Sequence, residues 1–185
     1  MRGPRLFRVT RREFAGDTAT LLSGLGGIYA GGRWHAKGSR VTYFGSNISL
    51  CVLEYLAHLD VHPTQNKWPL VVAEVSIQPD FLEPKNVREL GREELEASDP
   101  NWRIPDSPFC LRIGVRWYKD REHLFLNVPS AIVPGESNFV LNCSHPLAAD
   151  LINSSTLKLD DMVIDQRIAE VLDATAIARR RNPQS

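Results

Sequence analysis

The sequence predicts a single compact domain with an α/β (α+β) fold, in which small mixed sheets are flanked by helices. Three observations predict this class. The chain has 185 residues, of which 43% are hydrophobic, so it can bury one core but hardly two. Runs rich in β-branched and aromatic residues, typical of strands, are interspersed with runs of helical period. No internal repeat and no linker interrupts the sequence, so residues 1–185 are predicted to form one domain.

The first elements follow from glycine content and from a capping signal. Eight of the twelve glycines lie within residues 16–45, which predicts a series of turns rather than a long helix. Residues 41–44 then have the composition of a short strand. Ser46 or Asn47 caps a helix that runs to about residue 60 and is ended by Pro63.

The later elements follow from the same two periodicities. Further strands are predicted at residues 70–77, 124–128 and 139–142. Residues 87–97 are predicted to form a charged, exposed helix, and three prolines between 100 and 108 break up the stretch after it. Apolar residues recur with a helical period from 165 onward, and this helix leads into the basic run Arg179–Arg181. That run is either a solvated helix end or a contact for a partner.

Composition and charge argue against several classes of protein. The 22 basic and 22 acidic residues give zero net charge, so no general field draws the chain to nucleic acid or to an anionic membrane. Neither a signal peptide nor a membrane-spanning apolar run is present, and a soluble cytoplasmic protein is expected. Cys51, Cys110 and Cys143 lack C-x-x-C spacing, which argues against a disulfide framework and a zinc site.

The helix after the 41–44 strand carries a carboxylate in apolar surroundings. Leu50, Leu53 and Ala57 make its second side apolar as well as its first, so the helix is expected to be largely buried. Glu54 lies on that second side and needs a cationic or hydrogen-bonding partner, because an unpaired buried charge is costly. It either pairs with a surface cation at the rim of this face or belongs to a functional site.

A second group of candidates lies upstream of this helix. In Gly31-Gly32-Arg33-Trp34-His35, the glycine pair lets the backbone pass close to another group. Arg33 could be the partner of Glu54, and a planar guanidinium can also hold a pyrophosphate. Alternatively Arg33 lies in an ordinary turn that Trp34 anchors to the core. Tyr43 either stacks on a flat heterocycle or fills the core.

Five segments in order together resemble one known family, the RES domain, which is named for its Arg, Glu and Ser. They are Gly31-Gly32-Arg33-Trp34-His35-Ala36-Lys37-Gly38, Val41-x-Tyr43, Leu53-Glu54-x-Leu56-x-His58, Val128-Pro129-Ser130 and Asn138-Phe139-Val140-Leu141-Asn142-x-x-His145-Pro146. The resemblance runs from about residue 7 to about residue 168, which leaves 169–185 as a C-terminal helix and basic tail. Two positions depart from the family: His35 replaces a common Asn, and Cys143 replaces a usual proline.

The resemblance implies a compact α/β fold related to bacterial ADP-ribosylating toxins. It also implies a function, that of a toxin in a toxin–antitoxin pair that breaks the nicotinamide–ribose bond of NAD+, with water or phosphate as acceptor. NAD+ is then a substrate, and no prosthetic group is implied. The expected partner is a cognate antitoxin with an Xre-like DNA-binding domain, and a homodimer within that complex is left open. DNA binding is expected from the partner and not from this chain.

The resemblance also implies roles for individual residues. Glu54 would hold the ribose hydroxyls and stabilise the charge that develops on the ribose carbon, Arg33 would hold the anionic part of NAD+, and Tyr43 would pack on nicotinamide. Because nicotinamide leaves as a neutral pyridine, no general acid is needed. Ser130 is either a hydrogen-bonding group of the pocket or the residue of a structural ST-turn. The remaining binding candidates are Gly32, Trp34 and Asn142, although Asn142 next to the His145-Pro146 pair suits a turn better than a contact with substrate.

Two alternatives to this function, and two weaker motifs, complete the analysis. A mono-ADP-ribosyltransferase would use the same site, whereas a non-enzymatic binding module would not explain Arg33, Tyr43 and Glu54 together. Glu54, His58 and His62 have the i, i+4, i+8 spacing of a metal face, but Pro63 ends that helix, and no metal is expected. The glycine cluster at 24–27 lacks the third glycine of a Rossmann phosphate loop and is predicted to be an ordinary loop.

Overall fold

A seven-stranded sheet organises residues 3–58 and 69–170, which are the residues that the computed structural model describes. The strands are β1 (Arg5–Arg11), β2 (Val41–Gly45), β3 (Leu70–Ser76), β4 (Val87–Glu89), β5 (Phe125–Pro129), β6 (Ser137–Asn142) and β7 (Thr156–Met162). Their order across the sheet is β4-β5-β6-β2-β1-β3-β7. Neighbouring strands are antiparallel except β4 and β5, which are parallel.

Within the described residues, six α-helices lie between the strands along the chain. They are α1 (Thr18–Leu21), α2 (Gly26–Tyr29), α3 (Ile48–Ala57), α4 (Arg92–Ser98), α5 (Pro108–Asp120) and α6 (Ala148–Ser154). Short 3-10 helices occur at Arg12–Phe14, Pro79–Leu82 and Pro84–Asn86. None of the helices in the described part of the chain has the length and apolar character needed to cross a lipid bilayer.

The sheet is weakly joined at its centre. β1 pairs with β3 over seven registered positions and β2 pairs with β6 over five, but β1 and β2 share one pair, Phe7 with Gly45. Because the two strands diverge there, the backbone carbonyl of Tyr43 accepts a hydrogen bond from the guanidinium of Arg8, at 3.2 Å. The sheet therefore consists of a β4-β5-β6-β2 half and a β1-β3-β7 half that separate beside Tyr43.

Hydrophobic residues pack on both faces of the sheet. Since successive side chains of a strand point to opposite faces, neighbours such as Val140 and Leu141 belong to different core clusters. One cluster is built around Phe44, Leu141 and the buried residues of β3. The other holds three of the four tryptophans, Trp34, Trp102 and Trp117, together with Val41 and Val140. Tyr43 lies opposite Val140 in the β2–β6 ladder and shares this second face.

The structure confirms the fold class and most of the predicted elements. The predicted strands at 41–44, 70–77, 124–128 and 139–142 correspond to β2, β3, β5 and β6. Asn47 is the cap of α3, where its side chain accepts a hydrogen bond from the backbone N–H of Leu50, at 2.9 Å. The glycine-rich segment forms turns and the two short helices α1 and α2, and the 24–27 cluster is divided between a turn and α2.

Three predictions about elements were wrong or incomplete. Residues 87–97 are not one helix, because Val87–Glu89 pair with β5 as strand β4 and only the second half is helical. α3 is not largely buried: Leu50 and Cys51 face the sheet, whereas Leu53 is 44% exposed. Pro108 does not break a helix but begins α5, because a first-turn proline needs no N–H partner. The sequence analysis also left out β1, β7, α5 and α6.

Some predictions lie partly or wholly outside the described residues. The helix predicted from residue 165 is present at 166–170, and its remainder and the Arg179–Arg181 run are not described. α3 ends at Ala57 with His58 as its C-cap, and the proposed continuation toward Pro63 is likewise not described. The described segments contain no cluster of three His, Cys, Asp or Glu side chains arranged to bind a metal ion, and His62 falls outside them. The three cysteines are free thiols.

Candidate active site

Glu54 lies where α3 meets the hairpin formed by β5 and β6. Its Oε1 atom accepts two hydrogen bonds, one from the Ser130 hydroxyl at 3.0 Å and one from the Asn138 amide at 2.7 Å. Ser130 follows the last residue of β5, and Asn138 is the second residue of β6. Both donors are electrically neutral, so they orient the carboxylate without cancelling its charge.

Ser130 forms the ST-turn that was one of its two predicted roles, and its hydroxyl also donates to Glu54. Its hydroxyl oxygen accepts hydrogen bonds from the backbone N–H groups of Ile132 and Val133, at 3.1 and 3.0 Å, which is an ST-turn. A hydroxyl has one proton to donate, and that proton goes to Glu54. The side chain is 5% exposed. The turn therefore orients the hydroxyl, and the hydroxyl orients the carboxylate.

Tyr43, which is partly buried, forms a hydrogen-bonded pair with buried His35. The Nε2 atom of His35 lies 3.1 Å from the Ala30 carbonyl, which can only accept, so Nε2 carries the proton. Nδ1 then accepts a hydrogen bond from the Tyr43 hydroxyl, at 2.8 Å. Burial lowers the pKa of His35, and burial raises the pKa of Tyr43 even though the Trp34 backbone and the charge of Arg33 oppose that rise. Both side chains are therefore neutral near physiological pH.

Arg33 does not pair with Glu54, and that expectation is corrected. Its guanidinium donates to three successive backbone carbonyls, those of Trp102 at 2.6 Å, Arg103 at 3.0 Å and Ile104 at 2.5 Å. These carbonyls lie in a turn without strand partners, and the guanidinium fork satisfies all three. The charges of Arg33 and Glu54 nevertheless both act on the Tyr43 hydroxyl, so the three predicted residues share one neighbourhood.

The other predicted binding residues build the frame of this neighbourhood. A Cβ atom on Gly32 would lie 2.7 Å from the ring of His35, so the glycine is what allows His35 to approach Tyr43. Trp34 is 3% exposed and packs in the second core cluster, as its anchoring interpretation predicts. Asn142 is fully buried, donates to the Tyr118 carbonyl and accepts from the Ser144 N–H, each at 3.0 Å. Its amide is thus engaged by the chain itself.

Two residues near the candidate site are not predicted from the sequence. Asn138 belongs to one of the five family segments, but its hydrogen bond to Glu54 depends on β6 lying beside β2. Asn138 is two residues from buried Val140, so both side chains lie on the same face of β6. Arg8 lies on a strand that was not predicted, and burial lowers the pKa of its guanidinium. A single cation between buried Phe7 and Val9 was the available signal.

Comparison with known proteins gives one family and several relatives. The sequence profile described as RES domain matches residues 5–161. The chain is 30% identical over 167 residues to "Toxin Res" of Photorhabdus laumondii subsp. laumondii, covering 89% of this chain and 97% of the relative. It is 30% identical over 128 residues to "Prs ADP-ribosylating toxin" of a Sphingobium species, covering 68% of this chain and 74% of the relative.

Among solved structures, the fold resembles a chain from the crystal structure of the M. tuberculosis MbcT–MbcA toxin–antitoxin complex. The TM-score is 0.66, and the match covers 92% of this chain and 88% of that one. Sequence identity is 15%, so the likeness concerns the fold. The match extends over both halves of the divided sheet, and the geometry at Glu54 lies within the matched family segment.

Proposed function

This chain belongs to the RES domain family, and on that premise we propose that it is the toxin of a toxin–antitoxin pair that cleaves the nicotinamide–ribose bond of NAD+. The observation that carries the proposal is the half-buried Glu54 carboxylate, held by the neutral donors Ser130 and Asn138 beside Tyr43. A structural ion pair would neutralise this charge. A carboxylate that keeps its charge in partly desolvated surroundings suits a reaction that develops positive charge.

Cleavage of NAD+ develops such a charge on the anomeric carbon of the ribose. The carbon–nitrogen bond breaks, and its electron pair leaves on the nicotinamide nitrogen, which becomes a neutral pyridine. No proton has to reach the leaving group, so one carboxylate is sufficient, in contrast to glycosidases that use two. Glu54 would stabilise the cationic ribose and hold its hydroxyls while water adds to the carbon. The products are nicotinamide, ADP-ribose and one proton, and inorganic phosphate in place of water would give ADP-ribose phosphate.

The guanidinium of Arg33 is suited to the anionic part of the dinucleotide. It donates three of its five N–H groups to the carbonyls of the 102–104 turn, and its remaining N–H groups would hold a phosphate oxygen. The Arg8 side chain lies on the opposite face of the sheet from the Tyr43 side chain, and its guanidinium donates to the Tyr43 backbone carbonyl. Tyr43, neutral and partly buried, would pack against nicotinamide. NAD+ is the substrate in this scheme, and neither a metal nor a prosthetic group has a part in it.

An NAD+-consuming enzyme would harm its own host and requires an inhibitor. We expect a cognate antitoxin with an Xre-like domain, which would supply DNA binding, since this chain has zero net charge. Three exposed apolar side chains adjoin the site: Leu53 at 44%, Ile104 at 51% and Ile132 at 41% exposure. Exposed apolar groups around the polar side chains of the candidate site favour a protein partner that covers them, with or without a second copy of the toxin.

A second candidate function uses the same site with a different acceptor. The Sphingobium relative is named as an ADP-ribosylating toxin, which favours transfer of ADP-ribose to a protein side chain. The chemistry at Glu54 would be unchanged, because the bond that breaks is the same. The alternatives differ in what captures the ribose carbon.

The test is to incubate the purified protein with NAD+ alone, with added phosphate, and with cell extract, and to identify the products by mass. The proposal expects nicotinamide in every case, together with free ADP-ribose or ADP-ribose phosphate. Nicotinamide release that occurs with extract and yields a modified protein would select the transferase instead. Glu54→Gln is the matched control in all three reactions. Intact NAD+ in all three reactions would reject both candidates.

A further inference from the structure

A group of three polar side chains ties the start of α3 to the β5–β6 hairpin. Glu136, at the end of the loop that joins the two strands, accepts hydrogen bonds at its Oε2 atom from the Ser46 hydroxyl and the Asn47 amide, both at 2.7 Å. The backbone N–H of Ser46 also donates to the Ser137 carbonyl, at 3.1 Å. We call Ser46, Asn47 and Glu136 the N-cap clamp.

Capping of α3 alone does not explain this clamp. The Asn47 side chain already caps the helix, since its Oδ1 accepts from the Leu50 N–H. Glu136 accepts from the other end of that amide and from Ser46, so its bonds reach across to a different element. The negative carboxylate at a helix N-terminus is also favoured by the helix dipole. The clamp therefore serves to attach α3 to the hairpin.

The clamp and Glu54 attach the same two elements at separate points. Asn47 and Glu54 are seven residues apart, which is two helical turns, so they lie on one side of α3 about 10 Å apart along its axis. Near Asn47 the hairpin contributes Glu136, and near Glu54 it contributes Ser130 and Asn138. Two attachments on one side define both the rotation and the axial position of the helix, and thereby the place of the carboxylate.

We propose that Glu136 is a positioning residue for catalysis, which holds α3 so that the Glu54 carboxylate meets Ser130 and Asn138. Glu136 is also connected directly to Ser130, because its backbone carbonyl accepts a hydrogen bond from the Ser130 N–H, at 2.8 Å. The inference rests on the proposed function of Glu54. The new element is that Glu136, which lies outside the candidate site, determines where the Glu54 carboxylate lies.

The first test compares Glu136→Ala and Glu136→Gln in NAD+ cleavage. Because misplacement of a catalytic group by about 1 Å can cost on the order of a hundredfold in rate, Glu136→Ala should lower kcat by about ten- to a hundredfold. The KM should change by less than about threefold, because the clamp does not touch the dinucleotide. Glu136→Gln, which keeps an acceptor oxygen, should recover part of the rate. Asp17→Ala, which removes the carboxylate that caps α1, is the matched control and should leave kcat unchanged.

The second test is a double-mutant cycle with Glu54→Gln. If Glu136 acts through Glu54, adding Glu136→Ala to Glu54→Gln should produce little further loss of rate, whereas the two losses would multiply if they were independent. Thermal unfolding of each variant separates positioning from folding. If Glu136→Ala fails to fold, Glu136→Gln and Ser46→Ala provide the same comparison.

Two results would overturn the inference while leaving the proposed function intact. One is wild-type kcat in a folded Glu136→Ala protein, and the other is a loss that multiplies with that of Glu54→Gln. A wild-type protein that does not cleave NAD+ would overturn the proposed function and this inference together. The failures are therefore distinguishable from the same set of assays.

Discussion

At the scale of single residues, the site depends on a charge with neutral partners. Ser130 and Asn138 hydrogen-bond to Glu54, and no salt bridge of Glu54 occurs within the described residues. Each donor helps to orient the Glu54 carboxylate, and neither removes its negative charge. The arrangement resembles a preorganised electrostatic site more than a structural ion pair.

The first prediction concerns this charge directly. Glu54→Gln keeps the shape and an acceptor for Ser130 but removes the charge, so kcat should fall by about two to three orders of magnitude. NAD+ affinity and the melting temperature should change little, because ground-state binding and folding do not depend on that charge. Turnover, calorimetric binding and thermal unfolding on one preparation check this. Glu74→Gln, which loses a carboxylate on β3 that contacts Arg5, is the control. Wild-type turnover in the folded Glu54→Gln protein would refute the mechanism.

A second prediction concerns pH and His35. Burial lowers the pKa of His35 from its ordinary 6.5, so the unfolded chain takes up the proton more readily than the folded one. The stability contributed by neutral His35 is fully present above about pH 6.5 and is lost as pH falls through the folded-state pKa. Protonation also removes the Nδ1 acceptor of the Tyr43 hydroxyl.

The melting temperature of the wild type should therefore decline more steeply between pH 7.5 and 5 than that of His35→Asn, which has no imidazole. Thermal unfolding at several pH values measures this difference. His145 also has a pKa lowered by burial and is present in both proteins, so the difference between the two curves reports on His35. Parallel curves would contradict the prediction.

At the scale of elements, α5 is what supports the Arg33 segment. Gly114 lies in the middle of α5, and a Cβ atom there would overlap the carbonyl oxygen of Trp34. The helix therefore lies directly against the backbone that follows Arg33. Trp117 on α5 and Trp34 are buried in one core cluster. The sequence does not predict α5, because the prolines at 100–108 favour a break, although Ser107 caps the helix there by accepting from the Cys110 N–H.

This close approach gives a prediction about stability. Gly114→Ala should lower the free energy of unfolding by about 3 kcal/mol, because the backbone atoms it meets cannot rotate away and the overlap exceeds the helix-propensity gain of about 1 kcal/mol. Gly26→Ala is the matched control, since Gly26 is also a helical residue and a Cβ atom there meets nothing within 4 Å. Urea denaturation of both variants measures the difference. Equal stability of the two variants would show that the contact is not tight.

At the scale of the whole molecule, the candidate site lies at the seam of the sheet, the line where its two halves separate. Each half is held together by extended ladders, of β3 with β7 on one side and β5 with β6 on the other. Glu54 and Tyr43 lie beside the single β1–β2 pair that joins the halves. Strand pairing is incomplete there, and side chains replace it: Arg8 donates to the Tyr43 carbonyl, and the Cys51 thiol donates to the Phe7 carbonyl.

The last prediction concerns the partner that would cover this seam. In a Glu54→Gln background, which should remove toxicity, the product of the adjacent gene should copurify with the chain. Ile132→Asp in that background should weaken the complex more than tenfold, because burying one isoleucine contributes about 1.5–3 kcal/mol. Val163→Asp, which changes a 90% exposed residue just after β7 at the opposite edge of the sheet, should not weaken the complex. Calorimetric titration measures both affinities, and equal affinities would place the interface elsewhere.

A strand could be predicted when its own residues carry the strand pattern, and it could not when only its pairing with a distant strand defines it. β2, β3, β5 and β6 have strongly apolar, β-branched or aromatic sequences and were predicted from composition alone. β1 carries an arginine at every third position, and β7 is an exposed edge strand with three charges, so neither has a buried-strand pattern. β4 has three residues, and only its pairing with β5 makes it a strand.

The sequence by itself determined the fold class and the family, and it singled out Glu54, Tyr43, Arg33 and Ser130 as candidates, because motif spacing and residue chemistry are local properties. Only the tertiary structure decided which groups contact one another. It paired Glu54 with Ser130 and Asn138, and it directed Arg33 to a turn instead of to Glu54. The reason is that these contacts join residues far apart in the chain, and antiparallel pairing of β2 with β6 and of β6 with β5 sets which side chains share a face.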